Sequence, residues 1–104
     1  LGTDSAPHPV SAKETDCGCA GIFNAPNAME LYAQVFCEEN ALDQLEKFSS
    51  INGPVFYGLS SNDATMTLER KAFDVPSVVK VNGLDETLRP FFAGESLSWT
   101  LIDR

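Results

Sequence analysis

Apolar residues recur at helical spacing from residue 28 to residue 36. They stand at positions i, i+3, i+4, i+7 and i+8, as Ala28, Leu31, Tyr32, Val35 and Phe36. Residues at these positions share one face of an α-helix, so the pattern predicts a helix that packs this face on a sheet or on another helix. Asn24 stands where the N-cap belongs and Pro26 where the first turn begins. The polar residues 38–40 end the predicted helix.

A second, shorter helical pattern follows the first. Leu42, Leu45 and Phe48 fall on one face. The sequence Asn-Gly-Pro at 52–54 predicts the end of this helix, because Asn and Gly tolerate a left-handed backbone and Pro cannot continue a helix.

The remaining patterns predict strands and a long loop. Alternation of apolar and polar residues predicts strands at 64–69, 78–81 and 97–101. Residues 1–4 are predicted as the end of a further strand. Pro and Gly interrupt residues 5–23, which we therefore expect to be a loop. A loop of this length in a compact domain is more often a binding loop than a simple connection.

Composition and charge limit the classes of function. The chain has 104 residues, 43% of them hydrophobic, which is typical of one modest globular domain. Its net charge of −8 argues against binding nucleic acid or an anionic membrane surface, because both would repel it. No apolar run approaches the roughly 20 residues that span a bilayer. The chain has no signal-peptide pattern and starts at Leu1 without a Met, which indicates a piece of something longer.

The three cysteines do not predict a disulfide framework. The number of cysteines is odd, with Cys17, Cys19 and Cys37. A single Gly separates the first two, and this spacing seldom allows a disulfide bridge. A reducing, cytosol-like compartment is the simpler interpretation. Ordinary thiols near a loop are also a simpler interpretation than a metal or redox role.

Asp4 and His8 are the candidate chemical groups at the start of the chain. A carboxylate can bind a metal and carry a proton, and a histidine can hold an anionic substrate. Each also has an ordinary structural interpretation. Asp4 can cap its own backbone in a Thr-Asp-Ser turn, and His8, the chain's single histidine, can be a solvated loop residue.

Two blocks of the sequence resemble the dihydroorotases, a family of metal-dependent cyclic amidohydrolases. They are Gly-Thr-Asp-Ser-Ala-Pro-His at 2–8 and Cys-Gly-Cys-Ala-Gly-Ile-Phe-Asn-Ala-Pro at 17–26. The stretch Pro-Phe-Phe-Ala-Gly-Glu at 90–95 is similar to a segment near the C-terminus of the same family. The chain as a whole resembles the family's C-terminal segment.

The resemblance implies an α/β fold, the C-terminal portion of a TIM-type β/α barrel plus a small β extension, incomplete on its own. Residues 1–53 would hold the last barrel strand, the active-site loop and two helices, and residues 54–104 the extension. The implied function is the C-terminal part of a zinc-dependent dihydroorotase, which interconverts N-carbamoyl-L-aspartate and dihydroorotate in pyrimidine biosynthesis. The isolated chain would be inactive. The complete enzyme would be cytoplasmic, or located in an organelle, and a homodimer.

The resemblance also implies site residues. Asp4 would be the general acid/base and a metal ligand. His8 would donate a hydrogen bond to the substrate carboxylate, and Ala6 would lie against the substrate. Ala20 and Gly21 would present backbone groups to the pyrimidine ring. The cofactor would be one or two zinc ions whose remaining ligands lie outside this chain, so the remainder of the barrel would be its partner and a small molecule its substrate.

Two other functions stay open from the sequence. The chain could be a non-catalytic barrel remnant that acts as an acidic protein-interaction module, in which case Asp4→Ala would be silent. Alternatively, the enzyme could act on a hydantoin- or allantoin-like ring. The carboxylate of dihydroorotate needs a hydrogen-bond donor such as His8, which favours dihydroorotate over those rings.

Overall fold

The structure, a computed structural model, describes residues 1–16, 18–83 and 85–103. Within these residues the helices are α1 (Val10–Lys13), α2 (Ala28–Glu38) and α3 (Asn52–Tyr57). The strands are β1 (Thr67–Glu69), β2 (Phe73–Asp74), β3 (Val79–Lys80), β4 (Thr87–Leu88), β5 (Ser96–Leu97) and β6 (Thr100–Asp103). The chain thus contains both helices and strands, with the strands in its second half.

Helix α2 forms where the apolar spacing predicts it. A 3₁₀ turn, Ala25–Asn27, leads into the helix and has proline in its first turn. At the other end, Asn40 adopts a φ of 54°. The Ala41 N–H donates to the Phe36 carbonyl at 2.7 Å, and the Asn40 N–H donates to the Cys37 carbonyl at 3.0 Å. This paired closure by a left-handed residue is a common helix end, and the predicted end at 38–40 is confirmed.

The predicted helix end at 52–54 is wrong. A 3₁₀ turn at Leu42–Gln44 and a π-helical turn at Lys47–Ile51 lead directly into α3. Pro54 does not end the helix, because the fixed φ of proline, about −65°, is itself a helical value, and the backbone stays helical as far as Tyr57. The helix ends instead at Gly58, whose φ of 67° is left-handed. No helix within the described residues has the length and apolar character that a membrane crossing requires.

In the part of the chain that the structure describes, the strands pair as three two-stranded sheets, β1 with β6, β2 with β5 and β3 with β4. In the antiparallel β1–β6 pair, Leu68 faces Leu101 and Glu69 faces Thr100, and the register shifts between Thr67 and Leu68. The predicted strands at 64–69 and 78–81 fall on β1 and β3. The single strand predicted at 97–101 is wrong, because the backbone leaves the strand conformation at residues 98–99, and β5 and β6 on either side pair with different strands. β2 and β4 were not predicted.

The predicted strand end at residues 1–4 is not formed. Residues 1–9 contain no strand, and Asp4 has a φ of 49°, which no β-strand adopts. A parallel barrel strand forms only beside neighbouring strands that take up its backbone hydrogen bonds. The described part of the chain offers this segment no strand partner. The long loop that follows also contains one helical turn, α1.

The chain divides into two compact units. The first comprises Leu1–Gly2, Met29–Phe73 and the described residues from Leu97 onward, and the second comprises Thr3–Ala28 and Asp74–Ser96. The second unit contains the two blocks at 2–8 and 17–26 that resemble the family, apart from Gly2. It also contains Val75, which is fully buried.

The first unit has a small core and a large apolar surface. Ala33 and Leu97 are fully buried. The ring of Phe48 contacts the rings of Tyr32 and Phe36, with centroid distances of 5.6 Å and 5.1 Å. Four apolar side chains at the end of α3 are exposed by 66% or more, namely Val55, Phe56, Tyr57 and Leu59. We call these four residues the α3 apolar patch. Exposed patches of this kind usually mark contact surfaces.

Candidate active site

Asp4 lies in a turn whose backbone has an uncommon conformation. Its φ of 49° is in the left-handed region, which costs a residue with a Cβ about 1 kcal/mol or more. Asp and Asn adopt this region more readily than other such residues. The side chain is exposed. A strained residue persists only where its surroundings fix it, and the contacts on either side of Asp4 do so.

Asn24 fixes the peptide that precedes Asp4. Its Nδ2 donates a hydrogen bond to the Thr3 carbonyl oxygen at 3.1 Å. The sequence predicted Asn24 as an N-cap, but its side chain makes no capping bond to the 3₁₀ turn Ala25–Asn27. That prediction is wrong for the side chain, because its amide is engaged with Thr3.

Two further hydrogen bonds fix the residues that follow Asp4. The Ala25 N–H donates to Ser5 Oγ at 3.1 Å, and the Ala6 N–H donates to the Ile22 carbonyl at 2.7 Å. Together with the Asn24 bond, they join the two sequence blocks directly. The turn that carries Asp4 is therefore held in place by the loop that carries the second block.

Gly21 lies close to the first block. Its φ is 99°, and a Cβ built at this position would lie 2.6 Å from the Cβ of Ala6. Lys13 Nζ donates a hydrogen bond to the Gly21 carbonyl oxygen at 3.2 Å. Only glycine fits this conformation and this approach. The structure thus brings Ala6 and Gly21 into contact, while Ala20 is exposed beside them. Cys17, from the same block, lies outside the described residues.

A cavity of about 270 Å³ opens beside Gly21. Its volume is close to the lower end of the range of small-ligand sites. Two of the predicted site residues, His8 and Gly21, line this cavity, whereas Asp4, Ala6 and Ala20 do not. The apolar lining consists of Val10, Ile22, Phe23, Pro90, Phe91, Phe92 and Ala93. The cavity therefore combines an aromatic wall with a histidine.

The stretch at 90–95 contributes to this cavity, which the sequence did not predict. The Phe91 N–H donates to the Phe23 carbonyl at 2.8 Å and thereby joins the stretch to the second block. Phe92 has a φ of 69°, a rare conformation for a bulky residue. The resemblance of this stretch to the family was the available signal, but a resemblance of this kind does not specify which loop the stretch contacts.

Charged side chains complete the rim of the cavity. Arg89 Nε donates to Glu14 Oε1 at 2.9 Å, and the two side chains are 48% and 53% exposed. Lys13 and Glu95 also line the cavity. The formal charges of the two cations and the two carboxylates balance one another. An anionic group of a ligand would find donors in His8, Lys13 and Arg89.

The Arg89–Glu14 ion pair is expected to contribute little to stability. Arg89→Met should change the free energy of unfolding by less than about 1 kcal/mol, because solvent and salt screen an exposed pair. Chemical unfolding at low and at high salt measures the effect, which should disappear at high salt. The same substitution at the exposed Lys80 is the control. A loss that is larger than this and independent of salt would contradict the exposed-pair interpretation.

The described residues do not form a metal site by themselves. Zinc sites in proteins have three or four ligands from His, Cys, Asp or Glu. No group of three such side chains lies close enough together among the described residues to hold a metal ion. Asp4 could contribute one oxygen ligand, and the other ligands would have to come from elsewhere.

Comparisons with known proteins agree in sequence and in structure. No family model matches the chain. The chain is 62% identical over 101 residues to a dihydroorotase from Parasynechococcus marenigrum, a match that covers 97% of this chain and 28% of that protein. It is 55% identical to a dihydroorotase from Erythrobacter litoralis, a match that covers 97% of this chain and 29% of that protein.

The structural match is equally extensive. The crystal structure of dihydroorotase in complex with 5-fluoroorotic acid from Saccharomyces cerevisiae superposes with a TM-score of 0.88 at 37% identity. This match covers 100% of the present chain and 30% of the yeast chain. The chain thus spans less than a third of the length of these relatives, and it matches their C-terminal segment.

Proposed function

This chain belongs to the dihydroorotase family, and we propose that it supplies the C-terminal part of an active site that interconverts dihydroorotate and N-carbamoyl-L-aspartate. The observation that carries this proposal is the direct joining of the two sequence blocks. The Ala6–Ile22 hydrogen bond of 2.7 Å places the turn of Asp4 against the loop of Gly21. This contact supports a site in which the carboxylate that would carry the proton and the backbone that would bind the ring belong to one scaffold.

In the ring-opening direction, the oxygen of a water molecule attacks the ring amide carbon and the carbon–nitrogen bond breaks. Asp4 takes the proton from the attacking water and delivers it to the departing nitrogen, so that the carboxylate is regenerated at the end of the cycle. In the reverse direction Asp4 removes the proton from the attacking nitrogen. Its exposed side chain leaves the carboxylate accessible for this role.

His8 and Gly21 would bind the substrate. His8 lines the cavity and would donate a hydrogen bond to the substrate carboxylate, while Ala20 and Gly21 would offer backbone groups to the ring. Ala6 would lie against the ring from the opposite segment. The yeast relative was crystallised with 5-fluoroorotic acid, a pyrimidine carboxylic acid. That ligand supports dihydroorotate over rings without a carboxylate.

The rest of the proposal concerns what surrounds this chain. The remainder of a TIM-type barrel would complete the site, with residues 1–53 as its last portion and 54–104 as the extension. One or two zinc ions, held mainly by ligands outside this chain, and a homodimer of the complete enzyme remain predictions. The enzyme would be cytoplasmic, or located in an organelle, and the free thiols of Cys19 and Cys37 are typical of reducing compartments.

The proposal is tested with the isolated chain and with the assembled enzyme, by which we mean this chain joined to or co-expressed with the remaining barrel portion. We expect ring opening of dihydroorotate only in the assembled enzyme, with bound zinc detected by elemental analysis. Hydantoin and allantoin serve as the alternative rings. Turnover by the isolated chain, or an assembled enzyme that prefers either alternative ring, would contradict the proposal.

One observation favours the second candidate, a non-catalytic interaction module. The α3 apolar patch is exposed by 66% or more at each residue, and the chain carries a net charge of −8. If the chain is such a module, Phe56→Ser would abolish partner binding and Asp4→Ala would change nothing. If it is part of the enzyme, Asp4→Ala removes turnover, so the two variants distinguish the candidates.

A further inference from the structure

We propose that Asn24 is a positioning residue for Asp4, a role that rests on the proposed function of Asp4 in proton transfer. Asn24 does not touch the substrate in this scheme. It acts through the Thr3–Asp4 peptide, whose carbonyl oxygen accepts the Asn24 Nδ2 hydrogen bond at 3.1 Å.

The chemistry of the contact fixes the orientation of the amide. A backbone carbonyl can only accept hydrogen bonds, so the Asn24 atom that faces Thr3 must be the NH₂ group and not the oxygen. The other atom, Oδ1, is buried and has no hydrogen-bond partner within the described residues. Buried polar atoms are normally paired. The unpaired oxygen is a local cost, and a buried polar atom without a partner is one sign of a residue with a functional role.

The backbone of Asp4 explains why such a residue is needed. Its φ of 49° lies in a region that the chain leaves unless neighbouring contacts hold it. The peptide between Thr3 and Asp4 directly sets this angle, and Asn24 is the side chain that holds its carbonyl. Ser5 and Ala6 fix the other side of the turn. Loss of the Asn24 bond frees one side only, so the turn remains attached while the carboxylate shifts.

The test compares Asn24→Ala and Asn24→Asp in the assembled enzyme, with Asn27→Ala as control in the same 3₁₀ turn. The aspartate variant keeps the size of the side chain but presents no donor to Thr3 while it is ionised. A loss of kcat in this variant therefore cannot be explained by a cavity where the side chain was. We expect kcat to fall about 10- to 100-fold in both Asn24 variants, since small displacements of a catalytic group have effects of this size. KM should change less than about 3-fold, since substrate contacts remain.

A crystal structure of the Asn24→Ala assembled enzyme supplies a second measurement that does not depend on turnover. We expect the φ of Asp4 to leave the left-handed region, and Asn27→Ala to keep both the φ and kcat. An unchanged φ overturns the inference even if kcat falls, because Asn24 would then act in another way. An unchanged kcat with a changed φ also overturns it. If the unsubstituted enzyme shows no dihydroorotate turnover, the proposed function fails. The φ of Asp4 in the Asn24→Ala structure then decides by itself whether Asn24 holds the backbone of Asp4.

Discussion

Asp4→Asn is expected to lower kcat of the assembled enzyme by about 10³-fold, within the range that positioned general acid–base groups contribute. Asparagine has nearly the same size and adopts the left-handed region as readily as aspartate, so the φ of 49° can persist. The substitution therefore removes the proton acceptor while it leaves the turn in place. Steady-state kinetics in both reaction directions would measure the loss, and both directions should be affected alike.

The control for Asp4→Asn is the same substitution at Asp63, an exposed residue of the other unit. It removes one negative charge without touching the candidate site, so kcat should stay within about 2-fold, as for most surface substitutions. Circular dichroism of both variants checks that the fold is kept. If Asp4→Asn retained kcat within the same limit, Asp4 would not carry the proton, and the proposed chemistry would have to be abandoned.

Local patterns predicted the parts of the fold that depend on local interactions. Helix α2 and its end at Asn40 follow from apolar spacing and from a residue that tolerates a left-handed backbone. The end of the second helix was mispredicted, because the backbone stays helical past Pro54 and the left-handed residue that ends the helix is Gly58. The barrel strand at residues 1–4 did not form, since a parallel strand depends on neighbours that no local pattern can supply.

The sequence predicted which residues belong to the candidate site, but it did not predict which of them contact one another. The two blocks identified Asp4, His8 and Gly21, and the structure brings their segments together. Neither Asn24 nor Arg89 was given a role in holding them. Arg89 pairs with Glu14, which lies 75 positions away in the sequence. A contact between residues so far apart produces no periodic pattern in the sequence. Asn24 was assigned to the helix because an asparagine before a helical turn is usually a cap.

Gly21→Ala is expected to lower kcat/KM about 100-fold and to destabilise the protein by about 2–5 kcal/mol. Two physical effects add. The φ of 99° strains any residue with a Cβ, at a cost of about 1–2 kcal/mol. The new Cβ would lie 2.6 Å from that of Ala6, and such overpacking costs a further 1–3 kcal/mol, roughly. Relief of the overlap pushes the loop of Gly21 away from the turn of Asp4, which misplaces the ring relative to the carboxylate.

Gly83→Ala separates these two effects, because Gly83 lies in the same unit, has a φ of 76° and has open space where a Cβ would be. It should show only the conformational cost, about 1–2 kcal/mol, with kcat/KM unchanged. Chemical unfolding and steady-state kinetics of the two variants measure the difference. If both variants lost the same unfolding free energy and the same kcat/KM, the close approach of Gly21 to Ala6 would have no consequence. A larger loss at Gly21 alone would establish that the contact between the two blocks sets the geometry of the site.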